Sequence, residues 1–338
     1  MRNYPKLKVA AVQASPVYMD MDATVVKACR LIKEAADKGA KIVGFPEAFL
    51  PGFPYWCYLD DPITLMPYTQ LLFANAITCP GNELSQIAQC AKENNIYVVI
   101  GATERDGGSV YDTQFVIDDF GNIIGKHRKL KPMNSEKMIW GEGDASTMEV
   151  YDTPYGRLGS LMSCDHMNPM ASMVMNAQKE EIHVASFPAL SESPSWYRSY
   201  DVNWTLANCY SISNACFVIF STSIVTQEMI DILCKDHPEY EKLLPIGGGK
   251  ACVLSPNGLV ISDTLPENEE GVVTADIDIA AIGIENFERD TTGHYCNPSV
   301  RLIVDRTPRK VVWFEGAEPD NYVPYDALKK YLEGGSVR

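Results

Sequence analysis

The chain has 338 residues, 46% of them hydrophobic and 22% charged, which is the composition of a globular protein able to bury a large core. Its 29 Lys and Arg against 44 Asp and Glu leave a net charge of −15 with the basic residues scattered, which excludes nucleic acid and anionic membrane surfaces as partners. No apolar run approaches the roughly 18 residues of a membrane span, and residues 1–10 lack the apolar stretch of a signal peptide, so the expected location is the cytoplasm.

Apolar runs of strand length recur at residues 9–13, 42–46, 97–101, 115–117, 158–162, 183–188, 217–221, 251–255 and 272–277. Several are apolar without alternation, the pattern of strands covered on both faces. Between these runs, Ala28, Leu31, Ile32 and Ala35 repeat at helical spacing before Gly39, and Leu84, Ile87, Ala88 and Ala91 do so before Asn94-Asn95. Asp106-Gly107-Gly108, Phe120-Gly121-Asn122 and Pro256-Asn257-Gly258 fall between strand-like runs and read as hairpin turns. The expected class is therefore α/β with a mixed sheet, as one domain over residues 1–304. Residues 305–338 form a tail whose Trp313, Phe314, Tyr322 and Tyr325 are too many aromatics for a disordered end and predict packing on a neighbouring surface. The ten cysteines, from Cys29 to Cys296, show no paired spacing and read as reduced thiols, which makes Asn203-Trp204-Thr205 a chance sequon.

Ligands of open α/β sheets gather beyond the carboxyl ends of the strands. Three such ends carry polar residues: Glu47 after the run at 42–46, Ser163-Cys164-Asp165-His166 after 158–162, and Ser186-Phe187-Pro188 closing 183–188. The basic cluster Lys126-His127-Arg128-Lys129 ends a hairpin-like segment and can bring an ammonium to the same edge. A carboxylate, an ammonium and a thiol or hydroxyl suit covalent attack at a carbon–nitrogen bond: the carboxylate takes the nucleophile's proton, and the ammonium with a backbone N–H stabilises the developing charge. Plainer uses exist for each: a structural ion pair for Glu47, a solvated turn for the basic cluster, ordinary hydrogen-bonded histidines for His166 and His294. Five histidines without His-x-His or His-x-x-x-His spacing, and no close cysteine pair, leave no ligand set for zinc. Pro245-Ile-Gly-Gly-Gly-Lys250 lacks both the spacing and the following hydroxyl of a phosphate loop. Tyr55, Trp56, Trp140 and Phe187 can line an apolar pocket.

The blocks Phe45-Pro-Glu-Ala-Phe-Leu-Pro-Gly-Phe-Pro-Tyr-Trp56, His127-Arg-Lys-Leu-Lys131 leading to Glu136 and Ile139-Trp-Gly-Glu-Gly-Asp144, Asn176-Ala-Gln178, His183-Val-Ala-Ser-Phe-Pro188 and Gly293-His-Tyr295 stand in this order. Together they resemble the nitrilase branch of the carbon–nitrogen hydrolase superfamily over nearly all of residues 6–305. The resemblance implies an α-β-β-α sandwich that forms homodimers by stacking helices and associates further into spirals or filaments, with residues 228–244 resembling the insertion used in such contacts. It implies that Glu47 is the general base, Lys129 the stabiliser of the tetrahedral intermediate and Glu136 a second carboxylate that orients or relays protons. In that family a thiolate adds to a small nitrile, ammonia leaves the thioimidate, and water cleaves the thioester to the acid without a cofactor.

One position departs from the resemblance. Nitrilases carry Cys-Trp-Glu-(His/Asn) before a nearby proline, and with residues 156–161 and Pro169 fixing the register this chain reads Ser163-Cys164-Asp165-His166. Consecutive side chains of extended backbone point to opposite faces, so a tight strand-to-helix turn aims only one of them at the base. Ser163 is expected there, Cys164 elsewhere, with the Cys164 backbone N–H as the oxyanion-type donor. The expected activity is hydrolysis of a small organic nitrile to acid and ammonia by Glu47, Lys129, Glu136 and Ser163, or Cys164 in its stead. Tyr55, Trp56, His166, Phe187 and Pro188 would contact the substrate. Serine's weak acidity predicts slow turnover. The alternatives are non-hydrolytic chemistry on a nitrile-like or amide-like group in the same pocket, and a silent homologue that serves as a binding or filament subunit.

Overall fold

The computed structural model describes residues 4–189, 200–297, 299–309 and 321–333. In chain order the first half comprises β1 (Lys6–Gln13), α1 (Met21–Asp37), β2 (Ala40–Gly44), α2 (Met66–Asn75), α3 (Asn82–Asn94), β3 (Tyr97–Asp106), β4 (Ser109–Ile117) and β5 (Ile123–Arg128). There follow β6 (Tyr151–Thr153), β7 (Gly156–Met162), α4 (Pro169–Ala177), β8 (Ile182–Phe187), α5 (Tyr200–Asn214), β9 (Phe217–Thr222) and α6 (Gln227–Leu233). The chain then forms β10 (Cys252–Leu254), β11 (Gly271–Asp278), α7 (Ile282–Arg289) and α8 (Tyr325–Leu332). No helix among the described residues is long and apolar enough to cross a membrane.

Two mixed sheets run in the orders β5-β4-β3-β2-β1-β11 and β6-β7-β8-β9-β10, and one pairing, Gln13 with Thr222, joins β1 to β9 across them. The hydrophobic clusters show how they stack. Val9, Ala11, Ile42 and Val99 of the first sheet pack with Leu158, Val184 and Ile219 of the second in one central layer. The other face of the first sheet, with Ala10, Val12 and Val43, packs on Ala28, Leu31 and Ile87 of α1 and α3. The outer face of the second, with Leu161, Ala185 and Phe187, packs on Val174 and Ala207 of α4 and α5. Each central strand thus alternates between two buried faces, which is why its sequence shows no polar alternation. The architecture is the α-β-β-α sandwich. Gly44 marks its tightest point: a Cβ there would lie 2.7 Å from Val184 Cγ1, so only a residue without one lets the sheets close.

Two of the expected hairpin turns connect strands, β3 to β4 and β4 to β5. The third, at Pro256-Asn257-Gly258, follows β10 and closes only an isolated bridge between Leu254 and Val260. Beyond it the chain returns through β11. Of the aromatic tail, Trp313 and Phe314 lie outside the described residues. Val323 bridges Ile123, Tyr325 N–H donates to Asn122 Oδ1 at 2.9 Å, and Leu328 is fully buried in the core beside α3.

The reading of ten reduced thiols is corrected. Cys29 on α1 and Cys90 on α3 form a disulfide, with their Cα atoms 5.7 Å apart. Their separation of 61 residues hides this in the sequence, because the pair exists only once the two helices pack side by side.

Candidate active site

The site forms where β2, β5 and β7 end. Beyond β2 the chain crosses onto β3, with Phe45 N–H donating to Val99 O at 2.8 Å and Leu50 N–H to Gly101 O at 3.1 Å. Gly101 permits this approach, since a Cβ there would meet Ala48 N and Pro46 O at 2.6 Å. Ser186 Oγ donates to Phe45 O at 2.6 Å, so the third polar strand end serves to fix the first. Glu47 is thereby held in a buried position, followed by Ala48 in the left-handed region at φ 45°.

Lys129 follows β5 and is anchored through its backbone, N–H to Asp112 O at 2.9 Å and carbonyl to Gly143 N–H at 2.8 Å. Its fully buried ammonium donates to Glu47 Oε1 at 2.5 Å and to Glu136 Oε2 at 2.7 Å, and it lies 3.6 Å from Asp112 Oδ2. Glu136 sits on a short 3-10 turn, Asn134–Met138, where its Oε2 also accepts Met133 N–H at 2.8 Å and its Oε1 accepts the Tyr58 hydroxyl at 2.9 Å. Burial raises the Glu47 carboxyl above its ordinary range, against the pull of the Lys129 ammonium. Burial pulls Lys129 down, but the carboxylates of Glu47 and Glu136 outweigh it and hold the ammonium charged. The Glu47 Oε2 atom is buried without a hydrogen-bond donor.

At the end of β7, Ser163 adopts φ 39° and opens a 3-10 turn, Ser163–Met167, that leads into α4 with Asn168 as its cap and Pro169 at the first helical position. A positive φ on serine is uncommon and marks a sharp strand-to-helix turn. The Cys164 thiol donates to Lys131 O at 3.1 Å, and burial raises its pKa, which keeps the thiol neutral. Asp165 ties the turn to the lysine segment, taking His127 Nε2 at 3.0 Å and Leu130 N–H at 3.2 Å.

His166 lies behind the turn. Its Nδ1 donates to Ser163 O at 3.0 Å, its Nε2 meets His183 Nε2 at 2.9 Å, and burial holds it below its usual range, as the neutral ring. His183 continues to Glu180 at 2.7 Å, and Glu180 accepts the Tyr210 hydroxyl at 2.6 Å. With both nitrogens engaged, His166 has none left for a substrate. Phe187 likewise packs outward, against Phe220 at 5.2 Å and His166 at 5.1 Å. Alternation along β8 and the turn at 163–167 set these two side chains against the α4–α5 layer. Pro188 is buried at the strand's end. Tyr55 and Trp56 join Phe53 and Trp140 in an aromatic cluster that abuts the acidic site, with the Trp140 ring 5.6 Å from Lys129 Nζ. Met229, Ile230 and Tyr240, from the segment 228–244, are buried in the same cluster. His294 is exposed in a turn, away from it.

Two contributors escaped the reading of the sequence, Asp112 and Tyr58, while Asp165 was named there without a role of its own. Asp112 precedes the apolar run at 115–117 on the same strand. Among the described residues no cluster of His, Cys, Asp and Glu is arranged for a metal ion, and the acidic groups here surround an ammonium instead.

Comparison with known proteins agrees with this geometry. Residues 8–283 match the family model described as carbon-nitrogen hydrolase. The chain is 40% identical over 330 residues to a nitrilase of Bacillus sp. (strain OxB-1), covering 97% of both chains. It is 39% identical over 298 residues to an aliphatic nitrilase of Rhodococcus rhodochrous, covering 87% of this chain and 81% of that one. The solved structure of a carbon-nitrogen hydrolase from Helicobacter pylori G27 shares the fold, with a TM-score of 0.66 at 17% identity over 85% of this chain and 94% of that one. The chain belongs to the nitrilase branch of the carbon–nitrogen hydrolase family.

Proposed function

We propose that this protein hydrolyses a small organic nitrile to its carboxylic acid and ammonia, with Ser163 as the nucleophile. The observation that carries the reading is the buried Glu47–Lys129–Glu136 cluster, beside a turn whose first residue bears a hydroxyl. Glu47 takes the Ser163 proton as Oγ bonds to the nitrile carbon, and the nitrogen gains its proton from the Lys129 side, giving an imidate ester. Water adds to that imidate, ammonia departs, and a serine ester remains. A second water, deprotonated by Glu47, releases the acid and restores the hydroxyl. Glu136, with Tyr58, holds the ammonium in place throughout. Cys164 contributes its backbone N–H, while its thiol stays protonated on the Lys131 carbonyl. Tyr55 and Trp56, in the adjoining aromatic cluster, supply the apolar wall. The working unit is a homodimer in the cytoplasm, open to spiral association.

An ammonia assay over aliphatic and aromatic nitriles, with Glu47→Gln as control, tests the reading. Release by the natural protein should exceed the control by roughly 10²–10⁴-fold, the usual worth of a positioned base. Equal, background release from both would favour the silent homologue. The same assay has an expected pH profile: since burial raises Glu47, activity should climb as pH rises through a point above the ordinary carboxylate range, as the base loses its proton. An acid limb at the ordinary carboxylate position would contradict the raised base.

A further inference from the structure

Asp112 lies mid-strand in β4, with both carboxyl oxygens buried and no donor to either among the described residues. Glu47 Oε2 is in the same condition. Both carboxyls sit on the one ammonium of Lys129, Glu47 Oε1 at 2.5 Å and Asp112 Oδ2 at 3.6 Å. Glu136 is the third acid on that nitrogen. A single positive charge thus faces three carboxyl groups in a buried site. Two bare carboxylates crowded around one ammonium, with no donor to their remaining oxygens, repel strongly in such surroundings, whereas one proton shared between them allows a charge-assisted hydrogen bond.

We propose that Asp112 is a positioning residue for the base: its carboxyl keeps a proton and donates it in a hydrogen bond to Glu47, which stays ionised and oriented toward the turn at Ser163. This rests on the reading of Glu47 as the base. The groups that face Asp112 are Glu47 beyond β2, Lys129 beyond β5 and Glu136 on its 3-10 turn. Burial and the Glu47 charge both favour the protonated form of Asp112, and Lys129 opposes them. No bond to substrate is involved, and the proton is not consumed: the donor only stabilises the anion that does the abstraction. Asp112→Asn keeps an N–H donor in nearly the same shape but cannot ionise.

Infrared spectroscopy of the full chain, compared with Asp112→Asn, tests this without any turnover. At neutral pH the natural protein should show a carbonyl stretch of a protonated carboxyl that moves in deuterated buffer and is missing from the variant. In the natural protein alone, that band should persist above the ordinary carboxylate range and fade only as pH rises further. No such band at neutral pH, or one unchanged in Asp112→Asn, overturns the proposal. With a nitrile that the enzyme turns over, Asp112→Asn should keep activity within about 10-fold and lose the decline at high pH that follows ionisation of Asp112. An unchanged alkaline decline in the variant counts against the proposal. Because the band needs no catalysis, its absence in an active enzyme sinks this inference alone, and its presence in an inactive one leaves the failure with the hydrolytic reading.

Discussion

Ser163→Cys should raise nitrile turnover at least about 100-fold. The step that limits a serine here is deprotonation: its hydroxyl must lose a proton to Glu47 during attack, whereas a thiol is partly ionised near neutral pH and intrinsically more nucleophilic. The acids and the ammonium already stand together. Lys129 is held at hydrogen-bond distance from both carboxylates, and the turn is braced by Asp165 to Leu130 N–H and by His166 to Ser163 O. The substitution adds little volume and leaves the φ of 39° to the same backbone contacts. Ammonia release per enzyme, measured against the natural protein and against Ser163→Ala, reads the effect. An increase with Ser163→Cys shows a competent site that lacks only its thiol. No gain, with the variant folded, shows that the surroundings of the hydroxyl have diverged as well.

Lys129→Met should abolish turnover and cost about 3–5 kcal/mol of stability. Methionine fills most of the space, but Glu47 and Glu136 are then left buried without their common counter-charge, which is far costlier than loss of a surface pair. The pH dependence of that loss identifies its cause. Carboxyl groups stripped of the ammonium have folded-state pKa values raised further above their unfolded ones, so the folded variant binds more protons than the unfolded chain. Its stability should therefore improve as pH falls and worsen as pH rises through the raised folded pKa values. Urea unfolding of both proteins across the acidic to neutral range gives the comparison. A variant as stable as the natural protein at neutral pH would mean that Glu47 and Glu136 are not ionised around the lysine.

The parts of this molecule that could be read from the chain are those where one physical constraint acts alone. Val9 to Gln13 and the run at 183–187 look like doubly covered strands because both faces are apolar, and they are. Glu47 stood out as a charge directly beyond a buried run, and Lys129 was picked out of its basic cluster by the resemblance. What was not legible depends on which face a side chain takes or on a partner far along the chain. Phe187 and His166 were read as substrate contacts, and the face each takes follows from the register of β8 and the turn after β7. Tyr58 was hidden among aromatics, and only its hydroxyl, set on Glu136 at 2.9 Å, distinguishes it. Cys29 and Cys90 meet through helix packing that no spacing encodes. Asp112 precedes the apolar run at 115–117, yet its meaning comes from Glu47 and Lys129, contributed by separate segments.

The account turns on which atom at the turn attacks the nitrile. Rapid quenching of the enzyme with an excess of nitrile, followed by peptide mass spectrometry with fragmentation between positions 163 and 164, locates the covalent intermediate. The acyl or imidoyl group should reside on Ser163, be absent from Ser163→Ala, and still form in Cys164→Ala. A label on the Cys164 sulfur, with turnover lost in Cys164→Ala and kept in Ser163→Ala, would contradict the account and make the protein a thiol enzyme.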